Sequence, residues 1–358
     1  MSDRILVYGA YGYTGTMIAE RAVERGHTPV LAGRDRERLG PLAGRLGLKA
    51  RAFGLDDVDA VRSALADVDL VLHAAGPFSA TSAPMVRACL AASTQYLVGT
   101  GEIDVFVDVL ARAEAARGAG VALVPGVGCD VVPTDCLARA LHDRLPDAVE
   151  LDLAIHTRGG PSRGTMRTMV EALPDGGRVR RDGAIVEVPI AWKTREVPYA
   201  DRARSAVSIP WGDVSTAWHS TGIPDIVVYA AASPRAIRRL RRIGRFRRVL
   251  GWGIVQALLR GWVDRTTTGP DEDARRRGSS QAWGEARNAR GQAVRGSVTG
   301  PEGYTLTADA AVRSAERALA GIPAGAWTPS GAFGATFVTE LDGVTMRVDG
   351  PGPNGNGC

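Results

Sequence analysis

The sequence predicts an α/β protein: a doubly wound, Rossmann-type parallel sheet with an inserted second α+β domain covering a cofactor cleft. Three observations point there. A short apolar strand, Arg4-Ile-Leu-Val-Tyr8, runs straight into a glycine turn at Gly9. Short apolar strands then alternate with helical stretches of ordinary length as far as residue 125. After Asp130 this rhythm stops, and proline- and tryptophan-punctuated strand-like segments replace it. Strand–helix alternation is the pattern of βαβ units, which gather ligands at the carboxyl ends of their strands.

The elements justify this reading in order. The first turn is Gly9-Ala-Tyr-Gly12-Tyr-Thr-Gly15, and Met17, Ile18, Ala22 and Val23 then repeat at helical spacing up to a stop at Gly26. Gly9 permits the tight turn, Gly12 lets backbone approach a pyrophosphate, and Gly15 lets the helix pack near the strand. The helix N-terminus offers unpaired N–H groups to phosphates. The spacing is G-x-x-G-x-x-G, not G-x-G-x-x-G, so its position after a strand carries the inference. Gly9, Tyr11, Gly12, Tyr13, Thr14 and Gly15 are therefore candidate cofactor residues.

The second strand, Pro29–Gly33, delivers Arg34 where an NAD enzyme usually has an acid for the ribose. Arg34 and Arg36 suit a 2′-phosphate, which guanidinium binds in bidentate fashion, and NADP is the expected cofactor. The bland alternative is that Arg36 and Arg38 solvate the next helix. Lys49–Phe53 reads as a strand, followed by Asp56-Asp57 at a helix start. Val68–Ala75 ends in Gly76-Pro77-Phe78, Gln95–Val98 leads to Gly99-Thr-Gly-Glu102, and Val121–Val124 leads to Pro125-Gly126. Asp56, Gly76, Pro77, Phe78 and Gly99 join the cofactor set by lying at these strand ends. Ala83–Ala92 and Val105–Arg117 are the expected intervening helices.

Residues 1–131 are thus the expected NADP-binding Rossmann domain and 132–300 a second, substrate or cap domain. Within the latter, Val131–Leu145 reads as a helix, with strands at Glu150–His156, Ala184–Val188 and Ile226–Ala230. Residues 301–347 are expected to return to the first domain, with a helix at Ala308–Leu319 and a strand-like Gly334–Leu341. Gly350–Cys358 is rich in glycine and proline, and 348–358 reads as a disordered tail.

With 358 residues, 45% hydrophobic and 23% charged, the composition is globular and excludes collagen, coiled coil and wholesale disorder. No run of about 18 uncharged apolar residues predicts a membrane span, and the N-terminus lacks the apolar stretch of a signal peptide. Cys89, Cys129, Cys136 and Cys358 form no C-x-x-C pair, so neither a disulfide framework nor a metal site is expected, and a cytoplasmic setting is. The net charge of +5 is concentrated: residues 235–265 hold ten arginines and one acid, which leaves the rest of the chain at −4. On a helical wheel Ile237, Leu240, Ile243, Phe246, Leu250, Ile254 and Leu258 share one arc, opposite Arg238, Arg241, Arg242, Arg245 and Arg248. This segment reads either as a basic amphipathic helix giving peripheral contact with a membrane or lipid, or as a solvated helix packed on its own domain. No recognition motif accompanies it, so nucleic acid is not an expected partner.

Gly160-Pro-Ser162-Arg-Gly164 matches G-x-S-x-G. A nucleophile elbow would need a later acid and histidine, and His219 follows, but Pro161 sits where the sharp turn needs freedom. Ser162 and Thr165 read better as a loop and helix cap facing the cleft, and with Trp211 and His219 they are the candidate substrate-binding residues.

The chain resembles the saccharopine dehydrogenase-like reductases, particularly their trans-acting enoyl reductase branch, over nearly its whole length to about residue 347. The motifs that carry the resemblance are Tyr8-Gly-Ala-Tyr-Gly-Tyr-Thr-Gly15, Leu31-Ala-Gly-Arg34, Ala75-Gly-Pro-Phe78, Gly99-Thr-Gly-Glu102 and Pro125-Gly-Val-Gly-Cys-Asp-Val-Val-Pro-Thr-Asp135. Further along come Pro161–Thr165, Pro210–Asp213, Ser220–Pro224, Gly303–Thr307 and Thr328–Gly334. The resemblance implies an NADP-binding Rossmann domain with an inserted domain and a returning C-terminal segment. Two departures stand out: the aspartate more often found before T-G-E is missing, and no clamp for an amino-acid substrate is identifiable.

These readings converge on an NADP-dependent oxidoreductase. The expected reaction is reduction of a conjugated C=C bond in a hydrophobic, polyketide- or lipid-like molecule. A C=O or C=N reductase on the same scaffold is the alternative, and a non-catalytic NADPH sensor the alternative of another class. A homodimer is left open. The Tyr-x-x-x-Lys proton relay is absent: Lys49 and Lys193 are the only lysines, and neither lies four after a tyrosine. Candidate proton donors are Asp130, Glu102 and His73, with Tyr199, His219 and Tyr229 available from the second domain. Asp130 and Glu102 could instead cap helices, and His73 could be a core histidine.

Overall fold

The computed structural model describes residues 5–350. The chain begins β1 (Ile5–Tyr8), α1 (Tyr13–Glu24), β2 (Val30–Gly33), α2 (Arg36–Leu46), β3 (Ala50–Ala52), α3 (Val58–Leu65) and β4 (Leu70–His73). It continues with α4 (Phe78–Ala91), β5 (Gln95–Val98), α5 (Ile103–Leu110), α6 (Ala113–Ala119), β6 (Ala122–Pro125), α7 (Val132–Arg144), β7 (Ala148–Arg158) and α8 (Arg163–Ala172). Next come β8 (Gly177–Arg181), β9 (Ala184–Val188), β10 (Thr194–Pro198), β11 (Ala203–Ser208), α9 (Asp213–Thr221) and β12 (Asp225–Ala231). Then follow α10 (Pro234–Gly244), α11 (Arg247–Leu250), α12 (Gly253–Thr266), α13 (Glu272–Arg277), β13 (Ser279–Asn288) and β14 (Ala293–Pro301). The last elements are α14 (Gly303–Leu319), β15 (Gly325–Ala326), α15 (Pro329–Phe333) and β16 (Thr345–Val348).

Two compact units result. One runs to Val132 and resumes at Tyr304–Gly334; the other is Pro133–Gly303 with the residues from Ala335 onward. The first unit holds a seven-stranded sheet in the order β15-β6-β5-β4-β1-β2-β3, every pair parallel. Six of its strands follow the doubly wound order, with β15 added at the β6 edge. Strands of a parallel sheet are covered on both faces, so they read as continuous apolar runs rather than alternations. Thus Ile-Leu-Val-Tyr of β1 and Ala-Leu-Val-Pro of β6 are buried throughout. Tyr8, Val71, Tyr96 and Val98 pack with Val86 and Cys89 of α4 and Val109 of α5. The returning α14 is locked to α1 by charge: Arg21 holds Asp309 at 2.7 Å, and Glu316 receives Arg25 at 2.8 Å and His27 at 2.9 Å.

The second unit holds a nine-stranded mixed sheet. Its main path is β10-β11-β12-β7-β13-β14-β16, and β8 joins at β12 and pairs with β9. Only β12 and β7 run parallel; the other pairs are antiparallel.

Several expectations differ from what is observed. Gly334–Leu341 is not a strand: Ala335–Glu340 forms a 3₁₀ helix that buries the adjacent Phe337 and Val338. A strand sends neighbours to opposite faces, so two consecutive buried side chains favour a tight turn of helix. The return to the first unit closes by Gly334, whereas β16 pairs with β14 of the second unit. The expected helix over Val105–Arg117 is two helices, α5 and α6. Residues 235–265 form three helices, not one amphipathic rod, because Gly244, Gly251 and Gly253 punctuate them. Phe246, Ile254 and Leu258, which the wheel puts on the apolar arc, are exposed, whereas Ile237 of the same arc is buried. The expected disordered tail lies outside the described residues from 351 onward; Val348 closes β16. Among the described residues, no helix is long and apolar enough to cross a membrane.

Candidate functional site

The loops that follow β1, β2, β4, β5 and β6 all leave the same edge of the parallel sheet, and most of the candidate residues sit on them. Gly9 has φ +86°, and a Cβ there would stand 2.7 Å from the Ala75 nitrogen, so the β1 and β4 loops meet backbone to backbone. At Gly15, inside the first turn of α1, a Cβ would lie 2.1 Å from the Gly9 carbonyl oxygen. Only glycine fits either position. Gly12 precedes α1 in extended conformation, and no side chain caps the helix. A helix start without a side-chain cap is the kind of end that receives phosphate. Tyr13 flanks the turn with its ring edge-on to Tyr304 at 4.8 Å, and Thr14 follows it within α1.

Beyond β2, Arg34 and Arg36 are exposed, and neither forms an ion pair with a described residue. Asp35 between them is committed elsewhere: its carboxylate accepts the Arg38 N–H at 3.2 Å and caps α2. The Arg38 guanidinium lies 4.4 Å over the Tyr11 ring, so Arg38 does more than solvate its helix. Tyr8 shows that these side chains share one neighbourhood. Burial pushes its hydroxyl up to about 12, Tyr11 and Asp56 add to the rise, and Arg34 opposes it. Asp56 itself is exposed, and it is Asp57 that caps α3 through the Ala60 N–H at 3.0 Å. The chain thus fits NADP: a glycine cradle at an uncapped helix end for the pyrophosphate, and two free guanidinium groups past β2 for the 2′-phosphate.

The β4 loop holds Gly76 and Pro77 in a cis peptide, and Phe78 opens α4. Glu102, on the β5 loop, reaches that helix start: its two carboxylate oxygens accept the Phe78 N–H at 3.0 Å and the Ser79 N–H at 2.8 Å. Glu102 therefore ties two loops together as a cap on α4, with both carboxyl oxygens engaged as acceptors. His73 is buried at the end of β4, with Nδ1 2.8 Å from the Tyr96 hydroxyl and its ring edge-on to Phe78 at 5.5 Å. Burial pushes its imidazole down to about 3, against a smaller opposing effect of the Ala75 backbone. It is a neutral core histidine at physiological pH.

Gly99 begins the β5 loop, its N–H bonded to the His73 carbonyl at 3.2 Å. Asp130 lies in the neighbouring β6 loop, with its carboxyl carbon 3.9 Å from where a Gly101 Cβ would be. Burial raises this carboxyl above the usual carboxylate range, opposed by the Cys129 thiol. A carboxyl so raised keeps its proton closer to neutral pH, and Asp130 is the donor candidate the geometry favours. Its loop is steadied from α14, where the Thr307 hydroxyl oxygen accepts the Cys129 N–H at 3.0 Å. The positioning roles of Tyr304 and Thr307 were not read from the sequence, although the Gly303–Thr307 motif marked the spot.

The second unit distributes its candidates differently. Ser162 caps α8 by accepting the Thr165 N–H at 3.3 Å, and the two hydroxyls lie 3.2 Å apart. Its φ of −72° and ψ of 168° are ordinary extended backbone, not a strained nucleophile elbow. His219 is exposed on α9, with Nδ1 2.9 Å from the Ser215 carbonyl oxygen, and Trp211 lies just before that helix. Tyr199 donates its hydroxyl to the Ile155 carbonyl at 2.8 Å, and burial raises the Tyr229 hydroxyl. Sequence reasoning missed the charged centre of this sheet. Arg195 pairs with Asp152 and with Glu285 and lies 4.5 Å over the Trp283 ring. It also missed a buried acidic pair: Asp213 and Asp135 are fully buried, and Asp135 accepts the Ser220 hydroxyl. Burial raises the Asp213 carboxyl, as does the nearby Asp135. No group of three or more His, Cys, Asp or Glu side chains is placed to hold a metal ion among the described residues.

Known proteins share these features. Residues 5–124 match the family described as the saccharopine dehydrogenase NADP-binding domain, and NADP is the cofactor of the chain. A putative trans-acting enoyl reductase of Mycobacterium tuberculosis is 30% identical over 185 residues, which is 47% of this chain and 44% of that protein. A trans-acting enoyl reductase of Mycobacterium bovis is 30% identical over 186 residues, with the same coverage. The matched region is thus less than half the length of these relatives. Apo saccharopine dehydrogenase (L-Glu forming) of Saccharomyces cerevisiae superposes with a TM-score of 0.64 at 13% identity, over 97% of this chain and 100% of that one. At that identity the likeness is one of fold. The resemblance seen in the motifs is borne out.

Proposed function

We propose that this chain is an NADPH-dependent oxidoreductase that reduces a conjugated carbon–carbon double bond in a hydrophobic, polyketide- or lipid-like small molecule. The observation that carries this reading is one sheet edge holding both the glycine cradle with Arg34 and Arg36 and, at its β6 end, the raised carboxyl of Asp130. The printed names of the curated relatives, trans-acting enoyl reductases, support the choice of a C=C bond.

When bound, the nicotinamide supplies the hydride. The residues of the chain do the rest. The α1 N-terminus and the arginines hold the phosphates and so fix the ring, while Glu102 and Thr307 set the loops around it. Reduction of an enone places hydride at the β-carbon and leaves negative charge on the enolate, and Asp130 is the proposed source of the proton that the α-carbon then takes.

The test is NADPH oxidation against a panel of hydrophobic enones, ketones and imines. Enone turnover is expected, and Asp130→Asn should lower it by about 10²–10⁴-fold with NADPH affinity unchanged. Turnover of ketones or imines alone would reassign the bond class. Tight NADPH binding with no acceptor consumed would identify a sensor.

A further inference from the structure

The helices α10 to α12 distribute polarity in a way the reductase reading does not use. Among the described residues ten large hydrophobics are exposed, and six of them fall between 246 and 262. Ile254 is 78% exposed, Leu258 70%, Phe246 66%, Trp252 64% and Trp262 56%. Ile254, Leu258 and Trp262 recur at four-residue spacing, so they form one stripe along α12. The opposite side of that helix buries Gln256, whose Nε2 donates to the Val170 carbonyl at 3.0 Å and the Leu250 carbonyl at 2.8 Å. The same side buries Val263, so α12 is apolar towards its own unit and again, along the Ile254–Leu258–Trp262 stripe, towards water.

The preceding helix supplies the complementary charge. α10 packs Ile237 and Leu240 inward against Ala191 and Val207. It presents Arg235, Arg238, Arg239 and Arg242 outward, where they line a surface recess. None of these four forms an ion pair with a described residue. Elsewhere in 235–265, Arg247 pairs with Glu187 at 3.4 Å and Arg260 with Glu171 at 3.9 Å, while Asp264, the one acid of the segment, is paired to Arg167 at 2.6 Å. Unpaired guanidinium groups on α10 and mostly exposed tryptophans at 252 and 262 match the two layers of a membrane interface: anionic headgroups, then the acyl boundary.

We propose that α10–α12 form a docking face for an anionic lipid bilayer, with the α10 arginines on the headgroups and the Ile254–Leu258–Trp262 stripe with Trp252 and Phe246 in the interface. Charge selects this occupant. A second copy would bring a surface of the same sign against it, and a nucleic acid would leave the apolar stripe in water. The inference stands apart from the reaction assigned to the first unit.

Flotation of the full chain with two vesicle types tests it: phosphatidylcholine alone, and phosphatidylcholine with about one-third phosphatidylglycerol. Binding to the anionic vesicles only is expected, with a blue shift of tryptophan emission and release as salt rises from about 0.05 to 0.5 M. The exposed quadruple change R235E/R238E/R239E/R242E should weaken binding by at least about 100-fold. L258S/W262S should weaken it by at least about tenfold and abolish the shift. Unchanged circular dichroism and an unchanged urea midpoint in both variants certify their folding. Absence of binding to either vesicle overturns the proposal, as does equal binding to both that the arginine changes leave intact. Self-association that L258S abolishes, without vesicle binding, would give the face to a second copy and overturn it likewise.

Discussion

The two sheets carry their polar chemistry in different places. The parallel sheet of the first unit is largely apolar along its strands, and most candidate groups sit on the loops and helix starts at one edge, held largely by backbone: the Gly9–Ala75 approach, the uncapped α1, the Glu102 bridge to α4. The mixed sheet of the second unit carries charge on its face, where Glu285 is almost fully buried among Arg195, Arg287 and Arg295. Burial works to raise the Glu285 carboxyl, but the arginines, led by Arg295 at 2.5 Å, override it and hold it low. An edge site built from backbone tolerates no added atom. A face network built from side chains tolerates no lost charge.

That contrast can be broken at either end. The largest effect is expected from Gly15→Ala, whose methyl would collide with backbone at 2.1 Å. Destabilisation of about 3 kcal/mol and loss of NADPH binding should follow, measured by urea unfolding and titration. A well-folded variant that binds NADPH normally would mean the turn has room the geometry denies.

Glu285→Gln comes next. Removing one partner of a buried pair costs about 3–5 kcal/mol, but Arg287 and Arg295 are roughly 40% exposed and can turn to water. About 2 kcal/mol is therefore expected, with NADPH affinity untouched. A shift in affinity would show that the two units are not separable in this way.

His73 gives a smaller, pH-dependent effect. Its imidazole titrates near 3 in the folded chain and near 6.5 when unfolded. Between those values only the unfolded chain binds the proton, so stability is present above pH 6.5 and falls as pH drops towards 3. The slope is about 1.4 kcal/mol per pH unit. In His73→Phe the stability difference between pH 7 and 5 should shrink accordingly, as read from unfolding curves at both pH values. An unchanged difference would place a charged or exposed imidazole at the end of β4.

These regions were unequally legible in the sequence. The glycine turn, Arg34 and the β-strand alternation could be read because each is local: a conformation or charge demanded within a few residues. Arg195 with Asp152 and Glu285, or Asp213 with Asp135, could not, because residues tens of positions apart meet only through strand register and helix packing. The helical wheel over 235–265 erred for a related reason. It assumed one continuous axis, while Gly244, Gly251 and Gly253 break the segment into three helices, so Ile237 is buried and Ile254 and Leu258 are exposed. Glu102 and His73 had the right residue types for acid chemistry, and only burial and partners revealed a helix cap and a core imidazole.

The most direct test of the nucleotide edge is a titration of the purified chain with NADPH and with NADH, followed by tryptophan-to-nicotinamide energy transfer, for the native sequence and for Arg34→Ala. The account predicts NADPH at least about tenfold tighter, or roughly 1.4 kcal/mol, with the preference lost and NADH affinity unchanged in the variant. Equal affinities in the native chain, or a preference that survives the loss of Arg34, would contradict it.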